Sequence, residues 1–162
     1  MNTKFKIRRI IKEDNETIAL IIRKSLEELG AAKPGTVYFD ESTDRLHEVF
    51  QTKKSAYFVA ETGGHVVGGG GIFPTEGLDK NTCELVKMYV SSAARGKGLG
   101  KLLLKHCLEK AKNTGYEKIY IETMPELTTA IEMYKKSGFT FIQETLGNSG
   151  HSGCDVFMIK EL

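Results

Sequence analysis

Between a strand-like run and an amphipathic run the chain places Arg95-Gly96-Lys97-Gly98-Leu99-Gly100-Lys101, three glycines and four other residues of which three are cations. Glycine adopts left-handed dihedrals that other residues resist and lets backbone come close to a ligand. A helix N-terminus adds unpaired N–H groups and about half a positive charge. Strand, glycine loop and helix in that order require a fold in which a sheet strand delivers the backbone to an anion seat. A phosphate or pyrophosphate fits such a seat.

The loop does not follow the common phosphate-binding patterns. A P-loop needs G-x-x-x-x-G-K-[S/T], but Leu102 follows Gly100-Lys101, and Arg95 stands where the first glycine belongs. The dinucleotide pattern G-x-G-x-x-G also fails, since Lys101 occupies the place of its third glycine. What remains is R-x-x-G-x-G, formed by Arg95, Gly98 and Gly100.

At 162 residues the chain suits one domain, because domains run roughly 100–200 residues. Its 40% hydrophobic content is enough for a buried core. With 23 basic and 21 acidic residues intermixed there is no basic nucleic-acid footprint. No run approaches the ~20 apolar residues of a membrane span, and "MNTKFKIRRIIKEDN" has no secretory apolar region. Cys83, Cys107 and Cys154 are odd in number and lack CxxC spacing, so no disulfide framework is expected. Neither nucleic acid nor membrane is an expected partner, and the expected location is cytoplasmic.

Strand and helix signals alternate along the chain. Lys4–Ile10 reads as an edge strand. Asp14 reads as the cap of a helix striped by Ile18, Ile21, Ile22, Leu26 and Leu29, and a shorter polar helix covers Glu41–Gln51. "AYFVAE" and "HVVGGGGIF" flank Gly63-Gly64 as a β-hairpin. "CELVKMYV" is a strand entering the glycine loop, and Leu103, Leu104, Cys107, Leu108 and Ala111 stripe the next helix, which stops near Gly115. "KIYIET" is a strand, Leu127, Ala130, Ile131 and Tyr134 stripe a helix ended by Gly138, and "FTFI" and "CDVFMIKE" are closing strands. This order describes one α/β or α+β unit over residues 1–162.

R-x-x-G-x-G after a strand, with Ala130, Tyr134, Gly138 and Phe139 in the spacing A-x-x-x-Y-x-x-x-G-F, resembles the GNAT superfamily of acetyl-CoA-dependent N-acetyltransferases. The resemblance runs over residues 4 to 161, and its specific part is Cys83–Phe139. It implies a mixed, mostly antiparallel central sheet with a splayed parallel strand pair and helices on both faces. It also implies acetyl-CoA as co-substrate, its pyrophosphate held by the backbone of Arg95, Gly96, Lys97, Gly98, Leu99, Gly100 and Lys101. Met88, Tyr89 and Val90 would pair with the pantetheine arm as an added strand. One departure is that "TMPELTTA" lacks the Asn many members carry there, leaving that contact open to replacement by Thr128 or Thr129.

Acetyl transfer to an amine calls for a base, an oxyanion donor and an acid. A lysine-like amine, pKa about 10.4, costs roughly 4.6 kcal/mol to deprotonate at pH 7, so a positioned base matters. Glu122, on "YIET", sits where some members place a base. Glu84 lies on the same strand face as Val86 and Met88 if that strand is regular. Both carboxylates remain candidates for the base. A backbone N–H around Met88–Val90 is the natural oxyanion donor. The resemblance makes Tyr134 the acid, a role that competes with a plain core position on its helix stripe.

The loop "GNSGHSGCD" offers His151 as a substrate contact or proton relay, against the alternative of a polar turn. His151 and Cys154 lack further ligands grouped with them, so no metal is expected. The glycines of "VVGGGGI" point either to something passing close to that backbone or to a bulge. Asp40, Glu41, Asp44 and Glu48 read as the solvated face of a short helix. A small-molecule amine is preferred as acceptor, since nothing marks a peptide groove. A protein N-terminal or lysine acetyltransferase and a catalytically inactive coenzyme-binding regulatory domain are the alternatives. The chain is expected as a monomer or a homodimer, with Tyr57, Phe58 and the C-terminal strand available for pairing.

Overall fold

The computed structural model describes residues 4–162. Seven strands form one sheet in the order β1-β2-β3-β4-β5-β7-β6. They are β1 (Lys6–Arg9), β2 (Ala56–Thr62), β3 (His65–Phe73), β4 (Thr82–Val90), β5 (Lys118–Thr123), β6 (Thr140–Ile142) and β7 (Val156–Glu161). Every neighbouring pair is antiparallel except β4 and β5, which run parallel. The helices are α1 (Asn15–Glu28), α2 (Leu46–Val49), α3 (Leu99–Thr114) and α4 (Thr128–Lys136). The mixed, mostly antiparallel sheet with one parallel pair is the architecture the family resemblance implies. Among the described residues no helix is long and apolar enough to cross a membrane.

Alternation along β2 shows why both sheet faces are covered. Tyr57 and Val59 pack with Ile18, Ile22 and Leu26 of α1, whereas Ala56, Phe58 and Ala60 belong to clusters that include Leu103, Leu104 and Cys107 of α3. Gly63 and Gly64, at φ +57° and +81°, close the β2–β3 hairpin, the left-handed pair that a two-residue turn of this twist needs.

β4 is not a regular strand. Its pairing with β3 passes from Gly71↔Val86 to Gly69↔Tyr89, so Lys87 and Met88 together oppose Gly70, and Lys87 takes φ +52°. This β-bulge reverses the alternation. Val86 packs on the α1 side, while Met88 joins the α3 side, so the expectation that Glu84, Val86 and Met88 share one face is corrected. The glycine run fits between neighbours on both faces. A Cβ would lie 2.9 Å from Met88 Cε at Gly70, and 2.5 Å from the Ala56 carbonyl and 2.7 Å from the Tyr57 ring at Gly71.

Three other expectations change. Asp14 precedes α1, but its carboxylate does not cap it. It accepts instead from Arg8 Nη1 and Nη2 at 2.8 and 2.9 Å and from the Ile11 N–H at 2.8 Å, which occupy both oxygens. The polar helix expected over Glu41–Gln51 divides into a 3-10 turn, Glu41–Arg45, begun by Asp40 accepting the Ser42 N–H, and the short α2. Tyr57 is wholly buried and β7 lies between β5 and β6, so neither is free to pair with a second chain.

Gly71→Ala forces a Cβ against backbone that cannot swing away. It is expected to destabilise the fold by about 1–3 kcal/mol, the usual range for overpacking, measured as a lowered denaturant midpoint with an unchanged slope.

Candidate active site

β4 and β5 pair only from Thr82↔Lys118 to Glu84↔Tyr120. Beyond Glu84, β4 stays with β3 to Val90 while β5 stays with β7 to Thr123. The two strands therefore diverge, and a cleft of about 580 Å³ opens between them. Met88, Tyr89 and Val90 line it from β4. Arg95, Gly96, Gly98, Leu99, Gly100 and Lys101 line it at the mouth of α3; Lys97 does not. Thr128, Thr129 and Tyr134 close it from α4, and Glu122 from β5.

The mouth is built from backbone. Gly96 and Gly98 stand at φ +75° and +80°, a conformation costly to residues with a Cβ. No atom lies within 4 Å of a Cβ at either, so conformation and not space demands glycine. The Leu102 N–H donates to the Gly98 carbonyl at 3.1 Å. The amides of Gly98, Leu99, Gly100 and Lys101 are the first four of the helix and have no intrahelical acceptor. The Arg95 guanidinium is turned inward, donating to the Val90 carbonyl (2.9 Å), Glu28 (3.0 Å) and Ser25 Oγ (3.1 Å). Its side chain braces the loop against α1 and the end of β4.

A polar cluster lies at the other end. Ligating atoms of Glu84, Glu122 and His151 all lie within 4.8 Å of one another. Glu122 accepts from the Tyr120 hydroxyl at 2.7 Å and from Ser149 Oγ. Glu84, 2% exposed, accepts from Thr75 Oγ1 at 2.7 Å and sits behind the cleft wall. Burial raises the Glu84 carboxyl from its ordinary 4.5 to about 7; the Thr75 hydroxyl opposes the rise, Glu122 adds to it, and His151 and Lys87 oppose it. Asp40 is held well below the usual carboxylate range, chiefly by its hydrogen bond with His151, against the cost of burial and with help from Ser42 and Lys87. His151 Nε2 is 3.4 Å and Lys87 Nζ 3.6 Å from Asp40 Oδ2. Burial lowers the Lys87 ammonium, and Asp40 pulls it back up.

Tyr134 keeps the core position that its helix stripe gives it. Its ring packs 5.7 Å from that of Phe139 in the core and it also lines the cleft, where burial pushes its phenol up and keeps it protonated. The Cys154 thiol is pushed up to about 12, mostly by burial, which makes it a poor nucleophile.

Asp40 departs from the solvated role expected of it and turns toward His151 and Lys87. Lys87, Thr75, Tyr120 and Ser149 carry no motif, and only their fold neighbours reveal them. "GNSGHSGCD" is a built loop: Asn148 N–H donates to the Glu76 carbonyl at 2.7 Å and Gly153 N–H to the Gly35 carbonyl at 2.9 Å. Those bonds set Ser149 on Glu122 and His151 beside Asp40.

Residues 23–139 match the family model described as Acetyltransferase (GNAT) family, and the chain belongs to that family. Among curated proteins it is 42% identical over 157 residues to the uncharacterized N-acetyltransferase YjgM of Escherichia coli (strain K12), covering 96% of this chain and 94% of that one. Human N-acetyltransferase 8 is 28% identical over 116 residues, 67% of this chain and 51% of its own. Among solved structures, a GNAT-family acetyltransferase of Staphylococcus aureus Mu50 superposes with TM-score 0.83 at 18% identity, covering 98% of this chain and 99% of its own. The yncA protein of Salmonella typhimurium, solved with its cofactor acetyl-CoA, has TM-score 0.77 and 24% identity over 99% of this chain and 95% of its own. At such identities the two structures establish the fold.

Because Glu84 is harder to ionise when folded, the folded chain holds its proton more tightly than the unfolded one. Stability from this group is fully present below the unfolded pKa, falls as pH rises toward about 7, and then levels off. Glu84→Gln has no such slope. Relative to wild type, its melting temperature is expected to rise between about pH 5 and about pH 8 in thermal scans.

Proposed function

We propose that the chain, as one domain over residues 1–162, transfers an acetyl group from acetyl-CoA to a primary amine of a small molecule. One observation carries the reading: a single cleft joins the open N-terminus of α3 to Glu122 and Tyr134. The amides around Gly96, Gly98, Leu99, Gly100 and Lys101 fit a pyrophosphate, and the edge of β4 at Met88–Val90, free of β5, fits an extended amide-bearing arm. Thr128 and Thr129 line the same cleft and offer hydroxyls in place of the missing Asn contact. Bound there, acetyl-CoA supplies an activated acyl thioester.

The chain's own groups manage the protons. Glu122 Oε1 and Oε2, on the cleft wall, meet the acceptor amine and take its proton. Glu84 lies behind as a neighbouring carboxyl that holds a proton near neutral pH, and His151 links the pair to Asp40 at the loop surface. Tyr134 Oη holds a proton on the α4 side of the cleft. Two features favour a small acceptor: the C-terminal loop sits against Glu122 through Ser149, and the Asp40 and Glu122 carboxylates outnumber the Lys87 ammonium, which suits a cation.

Calorimetric titration with acetyl-CoA, ATP and NAD side by side tests the coenzyme. Selective acetyl-CoA binding with a dissociation constant on the order of micromolar is expected, and the absence of binding would remove the reading. With an acceptor found by amine screening, Tyr134→Phe is expected to lower kcat about 10²–10⁴-fold with little change in coenzyme affinity. Full activity in that variant would remove Tyr134 as the acid.

A further inference from the structure

The glycine run of β3 lies inside the sheet, where glycine weakens a strand, so its presence calls for a compensating contact. A Cβ at Gly69 would stand 2.7 Å from Tyr57 Cε1 and 2.8 Å from its hydroxyl, and one at Gly71 2.7 Å from Tyr57 Cδ2. The ring of Tyr57 thus lies across β3 in a trench that two glycines leave open, backed by the Phe50 ring at 5.1 Å. Its hydroxyl reaches β4 and donates to the Lys87 carbonyl at 2.7 Å. Among the described strand residues, Lys87 is the one non-glycine with positive φ.

The peptide between Lys87 and Met88 is trans, and in a trans, planar peptide the C=O and N–H point in opposite directions. Holding that carbonyl toward Tyr57 turns the Met88 N–H away from β3. The register skips Met88, between Gly71↔Val86 and Gly69↔Tyr89, and Lys87 and Met88 both line the cleft. We propose that Tyr57 is a positioning residue, which by gripping the Lys87 carbonyl through the glycine trench aims the Met88 N–H at the acyl oxygen.

The inference rests on the acyl-transfer reading above. In that transfer the acceptor nitrogen bonds to the acyl carbon and the carbon–sulfur bond breaks. The nitrogen's proton passes to Glu122, and the sulfur takes the proton of Tyr134. The acyl oxygen carries negative charge on the way, and one well-aimed amide donor there is worth about 10²–10³ in rate.

Tyr57→Phe keeps the ring in its trench and removes only the grip. The variant is expected to bind acetyl-CoA within about threefold of wild type while kcat falls about ten- to a hundredfold, part of the full donor effect. A lowered melting temperature with unchanged kcat, or a loss confined to acetyl-CoA affinity, overturns the proposal. Wild type that fails to bind acetyl-CoA overturns the acyl-transfer reading instead. Should Tyr57→Phe not fold, wild type labelled with ¹⁵N-methionine decides: the Met88 amide resonance is expected to shift when acetyl-CoA is added, and an unmoved resonance overturns the proposal.

Discussion

The parting of β4 from β5 after Glu84 is the constraint on which the site depends. A parallel pair that continued to Thr123 would satisfy the backbone of both strands and leave no cleft. The bulge at Lys87 turns β4 instead, and the backbone groups freed on its outer edge face a cavity. Buried backbone polar groups need partners, so a gap of this kind is tolerated where water or a ligand can enter. Because β4 runs on through a short turn into α3, the same departure also brings the open helix N-terminus to that cavity. Two sets of unsatisfied amides, one from a strand and one from a helix, therefore face one space.

Holding that geometry takes contacts from distant parts of the chain. Arg95 binds the loop to α1 through Ser25 and Glu28 and to β4 through the Val90 carbonyl. Its charge is engaged by these contacts, and the anion seat is left to the amides, the helix dipole and Lys101. Tyr57 supports the bulge from β2, reaching over a strand that has no side chains in the way. Both devices fix backbone direction, which covalent geometry alone would leave free.

The polar end of the cleft is an electrostatic compromise. Burial makes ionising Glu84 costly and the neighbouring Glu122 adds to that cost, so the Glu84 carboxyl is raised to about 7. Burial lowers the Lys87 ammonium and Asp40 opposes the fall, while Asp40 itself is held low by His151, Ser42 and Lys87 around it. The members come from the segment before α2, from β4, from β5 and from the C-terminal loop. No contiguous stretch of sequence holds more than a fraction of the cluster.

Much of the fold was legible because its signals are short-range. Gly63-Gly64, Gly115 and Gly138 end elements where left-handed dihedrals are needed, the stripes of α1, α3 and α4 follow helical spacing, and R-x-x-G-x-G marks the strand-to-helix passage; each depends on neighbours within a few residues. The readings that failed depended on partners far away in the chain. Asp14 was drawn from its helix by Arg8, Met88 changed faces because a bulge forms opposite Gly70, and Asp40 turns to His151, more than a hundred residues on. Sequence by itself determined that a strand would deliver a glycine loop to the mouth of a helix, since dihedral preference and periodicity are local properties. Only the tertiary structure decided which carboxylate lines the cleft, what the four glycines accommodate and which way β4 turns, because those outcomes depend on side chains that meet through space.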